Sequence, residues 1–199
     1  MESIRNELFA RSLQEGFKKT KGNVFYLPGS SEDYQRTLAF SFYTYPNTRL
    51  ITAYVGVRSL RVEKIYERLA GEKSRYPVLV ISCNIGHISP YGHFKDWVIY
   101  EQTNRFLIYD EVFSYINKYA FPFYEKYEHL SDVIETLDNK PNEIFVPAEV
   151  RFCILPIIYL LLGNKDAGVR VMDKMIKDGF NLKQDFFKNY YNNFCKFEL

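Results

Sequence analysis

Two histidines and an aspartate lie close together in residues 84–97, with the sequence NIGHISPYGHFKDW, and their side chains could do chemistry. Imidazole and carboxylate groups bind divalent metal ions and transfer protons, so His87, His93 and Asp96 could form a metal site or an acid–base site. Their spacing matches no established metal-binding pattern. If the flanking segments are paired strands, the two histidines are ordinary polar residues at the end of a hairpin. This last interpretation is favoured, and the other two stay open.

The three cysteines, Cys83, Cys153 and Cys195, are far apart and form no Cys-x-x-Cys pair. Their arrangement argues against a disulfide framework or a zinc site and favours a reducing cytoplasm. A cysteine nucleophile would pair Cys83 or Cys153 with His87 or His129. Both cysteines lie in apolar segments, where a buried neutral thiol is expected, so the sequence disfavours this chemistry.

The segment GFKKTKGNVFY, residues 16–26, has the lysines and glycines of a phosphate-binding loop. Such a loop needs glycine amides at the start of a helix. Here the order is reversed, because Gly16 ends a predicted helix and Gly22 leads into a predicted strand. The sequence therefore predicts a solvated connection, in which Lys18 and Lys19 are candidate contacts for an acidic partner.

The elements that must position these residues are mainly strands in the first half of the chain. A helix is predicted over residues 4–14, because apolar residues recur there at helical spacing and Gly16 can cap its end. Alternating and apolar runs then predict five strands, at residues 23–29, 36–45, 49–59, 76–86 and 93–101. The turn YPNT joins the second and third of these as a hairpin, and the last two are expected to pair across residues 86–93. Ser59 and Gly71 delimit a further helix.

The pattern changes to helices from Asn104 to the end of the chain. Amphipathic and apolar segments predict helices near residues 106–123, 130–138, 148–164, 165–179 and 184–197. We therefore expect an α+β fold, with a mostly antiparallel sheet of four to five strands, helices packed on one face of the sheet, and a helical C-terminal half. The sheet half is predicted over residues 1–103 and the helical half over 104–199, packed together as one compact domain.

Composition narrows the class of protein. The chain has 199 residues, of which 47% are hydrophobic and 25% charged, and a formal net charge of +2. These values indicate a soluble globular protein with a core of normal size. Charges of both signs are mixed along the chain, which argues against nucleic-acid binding. A nucleic-acid binder would need one basic face, built from Lys18, Lys19, Lys21, Arg36 and Arg49.

The location of the protein is predicted from its apolar segments. The N-terminal residues carry charges where a signal peptide would be apolar. The longest apolar run, residues 154–162, is too short to span a bilayer. We therefore expect a cytoplasmic protein that does not enter the membrane.

Four stretches resemble a family of bacterial domains of unknown function. They are a Gly-Phe-Lys-Lys start that leads into an Asn-x-Phe-Tyr strand at residues 16–26, YVGVRS at 54–59, FPFYEKYEHLSDVIETL at 121–137, and YLLLGNKDAGVRVMDKM at 159–175. The resemblance covers residues 8–177 and supplies no catalytic residues. Some relatives of such families are associated with toxin–immunity loci, which implies an immunity-like role in binding another protein.

We therefore predict a small protein-binding module that uses no cofactor and no metal ion. The mixed charge, the 17 tyrosines and 17 phenylalanines, and the weakness of every catalytic set favour binding over catalysis. The predicted partner is another protein. The predicted contact surface is the exposed face of the sheet, with Tyr43, Tyr54 and Arg58, or the groove between sheet and C-terminal helices. The alternative is an enzyme of unrecognised type that uses the histidines and aspartate of residues 87–96.

Overall fold

A computed structural model describes residues 2–20, 22–140, 144, 146–182 and 184–199. The strands in these ranges are β1 Lys18–Lys19, β2 Val24–Pro28, β3 Tyr34–Tyr45, β4 Thr48–Ser59, β5 Leu79–Asn84 and β6 Asp96–Tyr100. The α-helices are α1 Glu2–Gln14, α2 Leu60–Ala70, α3 Arg105–Tyr115, α4 Phe121–Tyr127, α5 Leu130–Ile134, α6 Ala148–Leu161, α7 Lys165–Lys177 and α8 Asp185–Lys196. A 3-10 turn, Ile85–Ile88, and two π-helical segments, Ile116–Ala120 and Glu135–Asn139, complete the described elements. The predicted α+β class and the helical C-terminal half are confirmed.

The strands form a sheet in the order β1-β2-β3-β4-β5, and β6 also pairs with β4. The predicted hairpin between β5 and β6 is therefore wrong, because both strands pair with β4. Strand β4 has 12 residues, whereas β5 has 6 and β6 has 5. Since β3 occupies one edge of β4, the two short strands share its other edge. The antiparallel register of β6 places Ile51 opposite Trp97.

The basic segment at residues 16–26 is a strand pair, and the prediction of an unpaired connection is wrong. Lys18 lies opposite Tyr26 and Lys19 opposite Phe25, in antiparallel register. Gly16 has a φ of 88°, which turns the chain back after α1. The chain reverses again between β1 and β2, where the Thr20 amide donates to the Val24 carbonyl at 2.9 Å and Gly22 has a φ of 73°. The lysine-rich composition did not reveal this second reversal. Lys21 lies outside the described residues.

The described chain divides into two compact units, each made of two stretches. Unit 1 contains residues 1–57 and 82–128, and unit 2 contains residues 58–81 and 129–199. The predicted boundary between residues 103 and 104 falls inside unit 1. Residues 104–128 belong to unit 1 because they pack on its strands. For example, the Tyr124 hydroxyl donates a hydrogen bond of 2.8 Å to the Thr37 carbonyl of β3.

One face of the sheet in unit 1 forms a core. The alternate β4 residues Ile51, Ala53, Val55 and Val57 are all at most 1% exposed. Helix α1 covers β2 through Phe9, whose ring lies 4.9 Å from that of Phe25. Helix α3 covers β6 through Tyr115, whose ring lies 5.6 Å from that of Trp97. Because side chains alternate along a strand, the residues between these core positions point to the opposite face of the sheet.

Unit 2 is built from helices α2, α5, α6, α7 and α8. As predicted, the Ser59 side chain caps the start of α2, and Gly71, with a φ of 75°, ends it. Gly168 lets α7 pack closely against α6 and α8, because a Cβ at this position would lie 2.9 Å from the Phe194 ring and 3.0 Å from the Pro156 carbonyl. None of the described helices, including the apolar α6, is long and apolar enough to cross a membrane.

Candidate functional site

The face of the sheet opposite the core in unit 1 is rich in exposed aromatic side chains. The register between β4 and β6 puts Leu50 opposite Val98 and Thr48 opposite Tyr100 on this face. We define the aromatic face as Tyr43, Tyr45, Tyr54, Phe94, Val98 and Tyr100. Tyr43 and Phe94 are each 49% exposed, and Tyr45 and Tyr100 are each 55% exposed. The face therefore presents large apolar surfaces on three neighbouring strands and the loop before β6.

The structure brings the predicted contact residues Tyr43 and Tyr54 together, with Asp96 beside them. Burial raises the pKa of the Tyr54 hydroxyl, and the nearby Tyr43 and Asp96 raise it further. Asp96 lies opposite Thr52 in the register, and the Thr52 hydroxyl donates a hydrogen bond to its carboxylate. Tyr54 therefore stays protonated and neutral at physiological pH. It can serve as a hydrogen-bond donor in a contact surface.

Residues 85–95, which we call the excursion loop, leave the sheet after β5 and return to it at β6. Asn84 closes this loop. Its side-chain amide donates to the Lys95 carbonyl at 3.0 Å, and its side-chain oxygen accepts from the Lys95 amide at 2.9 Å and the Gly86 amide at 2.8 Å. Asn84 is only 3% exposed, so these bonds are shielded from water. The loop is thus fixed at its base.

Gly86 is required where the loop crosses itself. A Cβ at this position would lie 2.3 Å from the His93 carbonyl and 2.6 Å from the Lys95 Cβ. The Ser89 hydroxyl donates to the Gly86 carbonyl at 2.9 Å, which holds the next turn in place. Since the loop carries Phe94 of the aromatic face, its closure also positions part of that face.

The excursion loop does not bring the candidate catalytic residues together. The half-buried His87 ring lies 6.4 Å from the Phe94 ring, and the exposed His93 ring lies 3.7 Å from the Tyr91 ring. Among the described residues, no hydrogen bond, ion pair or ring contact joins these histidines to each other or to Asp96. The same residues contain no group of three or more His, Cys, Asp or Glu side chains placed to hold a metal ion.

At the end of the loop the Lys95 ammonium lies in a cage of aromatic rings and a carboxylate, which the sequence did not predict. The Lys95 ammonium lies 3.0 Å from the Glu111 carboxylate. It also lies 4.8 Å from the Tyr115 ring, 5.0 Å from the Trp97 ring and 5.3 Å from the Tyr91 ring. Cation–π and ionic attraction therefore tie the loop to α3. The aromatic excess of the sequence is the only signal of this cage, and it does not specify the partners.

A small cavity of about 340 Å³ lies at the end of the aromatic face, where Tyr45 and Tyr100 meet the turn between β3 and β4. We call it the arginine notch, because Arg49 and Arg105 line it. Burial raises the pKa of Tyr109, the charge of Arg105 lowers it, that of Glu7 raises it and that of Arg49 lowers it. Within the described ranges neither arginine forms an ion pair. Glu101 also lines the notch, so its charged lining is two arginines and one carboxylate, with a net positive charge.

The other predicted contact residues lie apart from the aromatic face. Arg58 belongs to unit 2, where its Nε lies 2.6 Å from the Glu63 carboxylate. Lys18 and Lys19 are exposed on β1, and the Lys19 ammonium lies 4.6 Å from the Phe9 ring. Arg36, a candidate for the basic face, donates at 2.6 Å to the buried Glu128 carboxylate. Arg58 and Arg36 are thus each paired with a carboxylate, and Lys19 lies over an aromatic ring.

The cysteines have the environments of structural residues. Cys83 and Cys153 are buried, and burial raises the pKa of each thiol to about 12. A thiol with such a pKa is neutral at physiological pH and is a poor nucleophile. Cys195 is exposed. Neither Cys83 nor Cys153 is therefore an activated nucleophile.

No family model, curated protein or solved structure matches this chain.

Proposed function

We propose that this protein is a binding module for another protein and that the aromatic face is its contact surface. The observation that carries the proposal is the group of large side chains on one sheet face, of which Tyr43 and Tyr45 on β3, Tyr100 on β6 and Phe94 in the loop before β6 are each about half exposed. Contiguous exposed apolar surface is uncommon on monomeric proteins and marks interaction sites. Tyrosine is enriched in such sites, because it combines a large apolar ring with a polar hydroxyl.

The rigidity of the face supports the proposal. Most of its side chains stand on strands, and Phe94 stands on a loop fixed by Asn84 and by the cage around Lys95. A surface that is already ordered loses little conformational entropy on association. The face is therefore suited to specific binding without a large rearrangement.

The arginine notch indicates the chemistry of the partner. A partner that covers the aromatic face and extends past the end of the strands into the notch would bring an acidic side chain near Arg49 and Arg105. The resemblance to domains linked with toxin–immunity loci adds a toxin as a candidate class of partner. A cytoplasmic site of action is part of the proposal and is supported by the three unpaired cysteines.

The proposal is tested by affinity capture from the native host with three forms of the chain. Tyr43→Ser with Tyr100→Ser removes two large rings from the face. We expect this double variant to lower retention of a specific partner by about tenfold or more, because buried aromatic anchors dominate interface energies. The matched control is Tyr76→Ser, which removes a ring that is 66% exposed in unit 2.

Circular dichroism and thermal unfolding should show that all three forms are folded. A partner retained equally by the double variant would contradict the assignment of the aromatic face. Capture of no specific partner by the wild-type chain would contradict the binding function. A further variant, Arg49→Gln with Arg105→Gln, should weaken binding more at low salt than at high salt, because screening reduces the attraction of the notch.

A further inference from the structure

Unit 2 contains a cavity of about 570 Å³ that is separate from the aromatic face. It lies among the start of α6, the end of α7 and the start of α8. This volume falls within the range of small-molecule binding sites. One wall is apolar and includes Met175, Phe180 and Phe187.

Arg151 is one of the charged residues that line the cavity. The Nε atom of Arg151, which lines the cavity, is shielded from solvent and has no hydrogen-bond partner among the described residues. Because Nε is shielded from solvent, a ligand oxygen in the cavity does not reach it, and Arg151 contributes its positive charge to the lining.

Charges of both signs line the cavity without pairing. Arg151 and Lys174 supply positive charge, and Glu149 and Asp178 supply negative charge. In the part of the chain that the structure describes, none of these four side chains forms an ion pair. Asp138 also lines the cavity and accepts a hydrogen bond of 2.7 Å from the Tyr159 hydroxyl. The lining thus contains two cations and three carboxylates, and charges of both signs are complementary to a molecule that itself carries both.

The first turns of two helices add partial positive charge at the cavity. Helices α6 and α8 begin beside the cavity. Neither has a side-chain cap, because the side chains of Pro147 and Gln184 accept no hydrogen bond from the first turn. By contrast, side chains of Ser59, Asn104 and Asn164 cap α2, α3 and α7. Uncapped amides at a helix start attract a carboxylate. Here they reinforce Arg151.

The apolar wall is a preformed aromatic cluster. The rings of Phe152 and Phe180 stack at 4.3 Å, and the rings of Phe180 and Phe187 lie 5.1 Å apart. Phe152 is fully buried behind the other two, which keeps the wall in place. Such a wall suits a large apolar side chain.

We propose that this cavity binds a zwitterionic amino acid with a large apolar side chain. The positive charges of Arg151 and Lys174 attract the ligand carboxylate, which also accepts from the first turn of α6. Its ammonium group donates to Glu149 or Asp178, and its side chain packs on Phe180 and Phe187. The site is independent of the proposed partner surface, because all of its lining residues belong to unit 2.

The ligand chemistry is tested on the full chain by titration calorimetry and by amide chemical shifts. The probes are L-phenylalanine, 3-phenylpropionate, which lacks the ammonium group, and phenylalanine amide, which lacks the carboxylate. We expect L-phenylalanine to bind about tenfold or more tightly than either analogue, because each loses one charge-assisted contact. Equal binding of 3-phenylpropionate, or of the amide, would overturn the zwitterion assignment. Absence of L-phenylalanine binding at millimolar concentration would overturn the site.

Substitutions of lining residues test whether the ligand binds in the cavity. Arg151→Met should weaken L-phenylalanine binding by about tenfold or more, since the carboxylate loses a positive charge that attracts it. Lys174→Met provides a second test at an exposed position, where loss of folding is not expected. Lys177→Met is the matched control on the same helix, because Lys177 is exposed and does not line the cavity. Unchanged affinity in both Arg151→Met and Lys174→Met would overturn the proposal.

Discussion

At the scale of single residues, the buried carboxylate of Glu128 in unit 1 depends on the hydrogen bonds that it accepts. It is 4% exposed and accepts hydrogen bonds from Arg36 Nε at 2.6 Å and the Ser30 amide at 2.9 Å. Burial alone would raise the pKa of Glu128. The bonds from Arg36 and Ser30 outweigh it, and the pKa is lowered. The pair thus fixes the turn between β2 and β3 to the end of α4.

We expect Glu128→Gln to lower the free energy of unfolding by about 3 kcal/mol at pH 7, because it leaves the Arg36 charge buried without its counter-ion. A lowered native pKa means that the carboxylate stabilises the fold above its unfolded-state pKa and loses this effect as pH falls through the native value. The difference between wild type and variant should therefore shrink in acid.

Urea unfolding between pH 3 and pH 7 measures this difference. Glu125→Gln is the matched control, because Glu125 lies on the same helix and is exposed. A Glu128→Gln variant that unfolds like the control at pH 7 would show that the ion pair contributes nothing net.

At the scale of elements, the excursion loop depends on Gly86. We expect Gly86→Ala to destabilise unit 1 by about 2 kcal/mol, because the new methyl group must displace the His93 carbonyl. Trp97 is the only tryptophan in the chain and lies two residues after the loop, so its fluorescence reports the unfolding of unit 1.

Ser114→Ala, at an exposed position of α3, serves as the control for that substitution. Hydrogen exchange in residues 85–95 should also become faster in Gly86→Ala, because the bonds to Asn84 are weakened. Unaltered stability together with unaltered exchange would mean that the loop has space for the methyl group.

At the scale of the whole molecule, each compact unit contains one buried cysteine. Cys83 lies in unit 1, Cys153 lies in unit 2, and Cys195 is exposed. We expect a thiol-specific reagent to modify Cys195 rapidly in the native protein and the other two only when their units open. Raising the pH to 9 should not release them, because the pKa of each buried thiol is about 12.

Mass spectrometry of the labelled chain identifies which thiol has reacted. Cys195→Ser should abolish the rapid reaction while leaving the slow labelling of Cys83 and Cys153 unchanged. Rapid native labelling of either buried thiol would contradict the burial that the structure gives it. Their separate labelling rates then measure the opening of unit 1 and of unit 2.

Local patterns predicted the elements well, because their causes lie within a few residues. Helix α2 followed from apolar residues at helical spacing between the cap residue Ser59 and Gly71. Strand β4 followed from alternation, which also placed Tyr54 on the face opposite Val55. The pairing of β6 with β4 was missed, because hairpin patterns favour the nearest strand and do not reveal a long edge that two strands share.

The sequence by itself determined the class of fold, the main helices and strands, and the face of β4 on which Tyr54 stands, since hydrophobic spacing and cap residues act locally. Only the tertiary structure decided which side chains meet. It set His87 beside Phe94 and His93 beside Tyr91, joined Lys95 to Glu111 and Tyr115, and left the buried Arg151 Nε without a hydrogen-bond partner among the described residues. These contacts link residues distant in the chain, and their energies depend on three-dimensional distance and burial, which no local pattern records.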